Sequence, residues 1–497
     1  MERIAHRIYT VLGSHRFYAG VIVFLALEAL WVAVSSAYPM AFDEEVHLGT
    51  IKIYAAQWSP FLASQPEGAD AFGAIVRDPS YLFHYLLSFP YRFIVSITGS
   101  EAIQVVFLRF INIALFVWGV ALFRKVLIRV GTSAALTHTA IALFALVPIV
   151  PLLAGQINYD NLLMPLAAWI CLLVISLYKQ LRTRTIDLRT VALFVLACML
   201  TAIVKYAFLP MAAAAVLFVA VMAIRSFGGA GPAFNQAVVK SYQALGIATK
   251  TVLIAGLFIS GVLFAQRYVV NLALYHTPVP SCDAVLSQED CMAYGPWARN
   301  YLLAQQKGEV NTSPLAYTSI WLQSLHYRMF FMVSGPNNGF VNYPPVLLPS
   351  ATAVVIAIFA LTALACCGRR VFAGRGILWL FVGMAVLYCG VLWTETYGQY
   401  LETGEPVAIN GRYLIPLLLP MATVFGRALS VAFRPWPAVK SFIAVGVILL
   451  FLQGGGVFSF ISRSNHTWYW SSRAVHQMNE SARNLFDPVM YEGRKYY

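Results

Sequence analysis

Apolar runs of about 20 residues recur along the whole chain, separated by shorter stretches rich in Arg and Lys. Each run is long enough to cross a hydrocarbon layer of about 30 Å as a helix. Eleven runs stand out, at 18–40, 102–123, 134–154, 161–178, 190–204, 207–224, 251–270, 346–367, 376–394, 413–433 and 441–461. The pattern predicts an all-α integral membrane protein of about eleven transmembrane helices, with residues 1–461 as the transmembrane domain and 462–497 as an extracytoplasmic tail. The segment 81–98, YLFHYLLSFPYRFIVSIT, is apolar but carries His84, Pro90 and Arg92. Counting it as a crossing would invert every later loop, so it reads as interfacial. The first run follows a basic start and exceeds a signal-peptide core in length, so it reads as a retained helix.

The composition is 60% hydrophobic and only 11% charged, which leaves no room for a sizeable soluble domain. The net charge of +13 raises the question of nucleic acid, and charge placement answers it. With the N-terminus in the cytoplasm, the cytoplasmic segments hold nineteen Lys and Arg against two acids, Glu2 and Asp187. The outer segments hold fifteen basic residues and eighteen acids, with Glu28 left inside the first run. This positive-inside asymmetry accounts for the basic balance without nucleic acid.

Five of the seven cysteines fall in apolar runs, where a thiol acts as a small apolar residue. Cys282 and Cys291, in PSCDAVLSQEDCMAYG, enclose eight residues of the outer loop 271–345 and read as a local disulfide. That loop, with its SGPNNGFVNYPP stretch, is long enough to serve as a functional cover. Glycosylation sequons at Asn311, Asn465 and Asn479 also fall outside.

The first outer segment holds the densest acid of the chain, in FDEEVHLGTIKIYA. Asp43 is placed to cap a helix starting at Glu44. His47, Leu48, Ile51, Tyr54, Ala55 and Trp58 then share one face, as in an amphipathic helix on the outer membrane surface. The carboxylates either serve the helix dipole or do chemistry. Three further motifs reach the same face: GQINYDNL, with Asn158, Asp160 and Asn161; AIVKYAFLP, with Lys205; and AINGRYLIPLLLP, with Arg412. Arg109 and Arg267 also sit near outer edges. A charge inside a span costs about 2.5–3.5 kcal/mol on insertion scales, whereas one at a helix end can snorkel to water. Lys205 and Arg412 are therefore either turn residues reaching water or cations for a phosphate. Carboxylates suit a general base or a hard divalent cation, and interfacial cations suit a lipid-anchored phosphate. The combination implies transfer from a lipid phosphate to a hydroxyl outside the cytoplasm.

FDEEVHLGTIKIYA resembles the first-loop Asp-Glu motif of the GT-C superfamily of integral-membrane glycosyltransferases, and VFLRFINIALFVWGVALFRKVL resembles their Arg-led second helix. INYDN, VKYAFLP and NGRYLIPLLLP are similar to a bacterial multi-pass branch of that fold, and the resemblance covers about 40–430. It implies an inverting transfer from a polyprenyl-phosphate sugar donor to a glycan, lipid or protein hydroxyl, at the outer face of a bacterial inner membrane. Asp43 matches the catalytic acid, Glu44 its companion and Asp160 the second-loop acid. Charge and position assign phosphate to Lys205 and Arg412, and make His47, Asn158 and Arg109 further substrate-binding candidates. Glu44 and Asp160 either orient the acceptor or hold a divalent cation, Mg or Mn, although the sequence shows no tight ligand spacing. Two departures are the third acid, Glu45, and the lack of a large C-terminal soluble domain in this sequence. The same charges would also serve a transporter or flippase of a lipid-linked sugar or anion, which Glu28 favours. Transport sites, however, usually lie near the bilayer midplane. A polymerase using a diphosphate lipid is a third reading.

Overall fold

The structure is a computed structural model that describes residues 2–228, 231–331 and 345–490. These residues fold almost entirely as helices, with a single β-bridge between Ser36 and Tyr469. Most of SGPNNGFVNYPP lies outside the described residues.

Nine helices among the described residues are long and apolar enough to cross a membrane. They are His15–Ser35, Glu101–Arg129, Asp160–Arg182, Tyr206–Phe227, Ile247–Tyr275, Leu347–Phe372, Leu378–Thr403, Gly411–Ala432 and Pro437–Arg463. The chain is thus an α-helical membrane protein with fewer full-length crossings than the eleven expected. The two shortfalls have local causes. The run 134–154 splits into Ala134–Ala145 and Ile149–Ala154, because Pro148 and Pro151 cannot continue a helix. The other, Leu188–Val204, has 17 residues and stops at Lys205, whose backbone is extended. The segment read as interfacial forms the 16-residue helix Leu82–Ile97, with Pro90 inside it.

The helix predicted after Asp43 runs Glu44–Ala55. Its apolar face does not lie free: His47, Leu48, Ile51 and Tyr54 are buried, and the helix packs on Leu82–Ile97. Trp58 lies beyond the helix and is exposed. Arg92 stacks on it at 4.0 Å and donates to the carbonyls of Tyr54, Ala55 and Gln57. Tyr54 and Ala55 end the helix and Gln57 lies just beyond it, so a cation there bonds the terminal carbonyls and suits the dipole.

The most extensive helix contact joins Glu101–Arg129 to Asp160–Arg182. One stripe of the former, Val105, Leu108, Arg109, Asn112, Phe116, Gly119 and Phe123, is buried at helical spacing. Gly119 lets the helices touch: a Cβ there would stand 2.6 Å from Met164 Cβ and 2.7 Å from Pro165 N. The tail expected after residue 461 is not separate. Helix Arg473–Phe486 packs on the first span, with buried Asn479 bonded to Trp31 and Ser35. That sequon asparagine is therefore closed to glycosylation in the folded chain. Cys282 and Cys291 are joined, in a segment folded as short helices up to Phe330.

Gly119→Ala is expected to cost about 1–3 kcal/mol by forcing this contact apart. Gly383→Ala, in a span with open space at that position, serves as the control. Thermal unfolding in detergent should show a lower midpoint for the first alone.

Candidate functional site

Glu44 begins its helix fully buried and is saturated with donors. Arg109 Nε and Nη2 reach its two oxygens at 2.8 and 2.7 Å. The amides of Met40 and Ile157 add bonds at 2.8 and 3.0 Å. The same guanidinium donates from Nη1 to the carbonyls of Ala33 and Ser36, at 2.9 and 2.6 Å. This pair knots the end of the first span, the acidic turn, the second span and the 156–158 loop. Each Glu44 oxygen accepts two bonds, so neither is left for a metal. Among the described residues no group of three His, Cys, Asp or Glu could hold one. Glu44 therefore does not fit the expected Mg or Mn site.

Asp43 stands at the N-cap but does not cap. Phe42 and Asp43 both adopt left-handed backbone, φ 67° and 68°, a conformation costing about 1–3 kcal/mol for residues other than glycine. The turn aims the Asp43 side chain away from the helix amides and toward Arg412, whose Nη2 lies 2.6 Å from Oδ2. Arg412 Nη1 and Asn158 Nδ2 both donate to the Phe42 carbonyl, at 2.8 and 3.0 Å, and hold the strained turn. Arg412 is itself positioned by Asn410, whose side chain accepts from its amide. Asn158 is committed to the loop, accepting from Asp160 N and donating to Asn112 through its amide.

The second pair joins Lys205 Nζ to Asp160 Oδ1 at 2.5 Å. Lys205 sits where two helices meet in extended backbone, and Asp160 opens a long helix, where its charge suits the dipole. Tyr159 and Tyr413 flank Lys205, with ring centroids 4.6 and 5.1 Å from Nζ. Asp43, Asp160, Lys205 and Arg412 lie within charge–charge range of one another. Three of them are buried, whereas the Asp43 side chain keeps 46% of its exposure. Asp160 Oδ2 and Arg412 Nε are buried with no hydrogen-bond partner among the described residues.

His47 packs edge-on against Tyr159, with centroids 4.6 Å apart, and its Nδ1 lies 2.9 Å from His84 Nε2. Burial, the His84 ring and the nearby Arg412 and Lys205 cations hold His47 well below the usual histidine range. Burial brings His84 down to about 3. Both rings are therefore neutral, one donating and one accepting.

Sequence reasoning brought Asp43, Asp160, Lys205 and Arg412 to one place, and it missed their surroundings. Tyr159 and Tyr413 adjoin Asp160 and Arg412 in INYDN and NGRYL, and that adjacency was the available signal. His84 and Asp78 carried none. Asp78 Oδ1 accepts from Ser80 N, and Ser80 Oγ accepts from Tyr206 N, tying the first outer segment to the Lys205 turn. Tyr294, three residues past the disulfide, lies in charge range of both Asp43 and Asp78. Arg267 lies apart from the four charges, donating to the Val76 carbonyl and stacked over Tyr81.

Two outcomes follow. Glu44→Gln puts an amide N–H where backbone donors point and unpairs Arg109, costing about 3–5 kcal/mol. Glu45→Gln, at an exposed position, should leave the unfolding midpoint unchanged. The neutral histidine pair also makes stability depend on pH. The unfolded rings bind protons below about pH 6.5 while the folded ones do not. Stability is therefore complete above about pH 6.5 and falls as pH drops toward 3. At pH 5 the loss is about 2 kcal/mol per fully shifted ring. Unfolding midpoints at pH 7.5 and 5 should separate for the wild type and separate less for His84→Phe.

Comparison of the chain with protein-family models, with curated proteins and with solved structures gives no match.

Proposed function

We propose that this protein is a GT-C-like glycosyltransferase, moving a sugar from a polyprenyl-phosphate donor to a hydroxyl at the extracytoplasmic face of a bacterial inner membrane. The observation that carries the reading is the pairing of one open carboxylate, Asp43, with a buried arginine, Arg412, beside a second buried cation, Lys205. The positive-inside charge pattern supports an orientation with this end outside and the N-terminus in the cytoplasm. That orientation counts the shorter Ala134–Ala154 and Leu188–Val204 segments as traversing the bilayer with the nine long helices.

In this reading Asp43 takes the acceptor hydroxyl proton as its oxygen bonds to the anomeric carbon. The bond from that carbon to the phosphate oxygen breaks on the opposite face, so configuration inverts. The charge balance favours the step. A sugar phosphodiester carries one negative charge, and the departing polyprenyl phosphate carries about two. As the phosphate gains charge, Asp43 loses its own, so Arg412 exchanges a carboxylate partner for the leaving group. An attraction that grows in the transition state accelerates the reaction rather than merely tightening binding. Lys205 shares the phosphate, Asp160 orients it through Lys205, and Glu44 and Arg109 serve as scaffold. Tyr294 and the disulfide-pinned segment cover the acceptor side.

Transport of the intact lipid-linked sugar is the second reading, and Glu28 is the residue that favours it. Glu28 Oε1 accepts from Val457 N at 2.8 Å and lies against Gly456, while Oε2 is buried with no hydrogen-bond partner among the described residues.

Asp43→Asn is the discriminating variant. Asparagine tolerates left-handed backbone better than most residues, so the turn should persist. Asp43 is half-exposed, and the asparagine oxygen can still accept from the buried Arg412, so the loss of stability should be about 1 kcal/mol. Turnover in liposomes should nonetheless fall about 10²–10⁴-fold, while Glu45→Gln stays near wild type. Wild-type turnover of Asp43→Asn would leave Asp43 as a mere partner of Arg412 and pass the base role to Asp160.

A further inference from the structure

At the other end of the bundle a cleft of about 670 Å³ opens where the spans Leu347–Phe372 and Gly411–Ala432 finish. Its charged wall is Arg370, Arg427 and Arg434, and its apolar wall includes Cys367, Val431 and Pro435. The span Gly411–Ala432 has 22 residues, a rise of about 33 Å. The cleft therefore lies about one hydrocarbon thickness from Arg412.

Three features define its ligand. None of the three arginines takes part in an ion pair among the described residues. Arg375 lies in charge range of Arg427 and donates to the Val130 carbonyl, and Lys440 lies in charge range of Arg434 and donates to the Ser430 carbonyl, so with Arg370 five cations gather with no acid among the cleft's lining residues. Like charges near one another repel, and an anion between them lowers that cost. Arg427 is fixed by donating from Nε to the Val371 carbonyl at 2.7 Å, which orders part of the wall before any ligand arrives.

The third feature is the surroundings. Trp436, next to Pro435, is 57% exposed, and Val439, Phe442 and Ile443 continue an exposed apolar surface along the following span. An open indole belongs at headgroup depth in a bilayer. An apolar track leaving a cluster of arginines fits a ligand whose anionic head sits in the cleft and whose chains run along Pro437–Arg463. We propose that this cleft binds the phosphate of an anionic phospholipid, in the leaflet opposite the Asp43 site. Guanidinium groups suit that head because they bind phosphate oxygens bidentately, and basic pockets between membrane helices are known to hold such heads. The inference does not depend on the reaction proposed above.

The test uses the full chain, purified in detergent, with phosphatidylglycerol, phosphatidylcholine and inorganic phosphate as probes and native mass spectrometry as the readout. The wild type should retain phosphatidylglycerol over phosphatidylcholine by about tenfold or more. Arg370→Gln/Arg434→Gln, which spares the arginine bonded to Val371, should lose that preference, and Arg370→Lys/Arg434→Lys should keep most of it. Inorganic phosphate at equal concentration should displace none of the lipid. No preference in the wild type, or the same preference in the glutamine variant, overturns the proposal. Displacement by inorganic phosphate also overturns it, making the cleft a site for soluble anions.

Discussion

A carboxylate removed from water beside a membrane must be matched by charge and hydrogen bonds, or it neutralises or unfolds its surroundings. Glu44 is matched completely, by a bidentate arginine and two backbone amides. Arg109 in turn bonds the carbonyls that end the first span. Segments more than 100 residues apart in sequence, the Asp43 turn and the Ile157 loop, are fixed to one another through this pair. The C-terminal segment closes the same knot from outside. Trp470 lies against the Arg109 guanidinium, and backbone bonds join Trp468 to Ala37 and Trp470 to Ser35. Burying such a pair contributes little net stability by itself, but removing either partner strands the other. Its consequence is geometric: the turn after Ala41 has one conformation, which points Asp43 outward.

That rigidity gives the neighbouring charges their character. Asp43 and Asp160 each have a cation, and the rings of Tyr159 and Tyr413 flank those cations. Asp160 Oδ2 and Arg412 Nε are buried with no hydrogen-bond partner among the described residues. The proposed transfer would draw on preorganised charge of this kind, with donors in place before the reacting charge develops. The strain at Phe42 and Asp43 is held in place by the same surroundings, with Arg412 and Asn158 both donating to the Phe42 carbonyl.

Much of this was legible in the sequence, because helix periodicity and charge at a membrane edge both leave local patterns. The spans, the helix from Glu44 and the four charges of the two ion pairs could be read from single stretches. The division of labour between Asp43 and Glu44 could not, because it depends on Arg109, Met40 and Ile157 meeting in space. Two adjacent acids look alike in sequence, yet one is saturated and the other open. The capping expectation for Asp43 failed for a related reason: Arg412, far along the chain, outbids the helix amides for its side chain. The two segments expected as full-length spans are shorter helices: Pro148 and Pro151 interrupt one and the other stops at Lys205, breakers that hydropathy alone averages away. The histidine pair was invisible because His47 and His84 lie on different helices.

The account's central claim concerns the fate of the donor. The direct measurement reconstitutes the protein in liposomes with a polyprenyl-phosphate sugar labelled in both the sugar and the polyprenyl chain, together with a hydroxyl acceptor. The account predicts free polyprenyl phosphate and the sugar label on the acceptor with inverted anomeric configuration. Intact donor appearing in the opposite leaflet, with both labels still joined, would contradict it and mark the protein as a carrier of lipid-linked sugar.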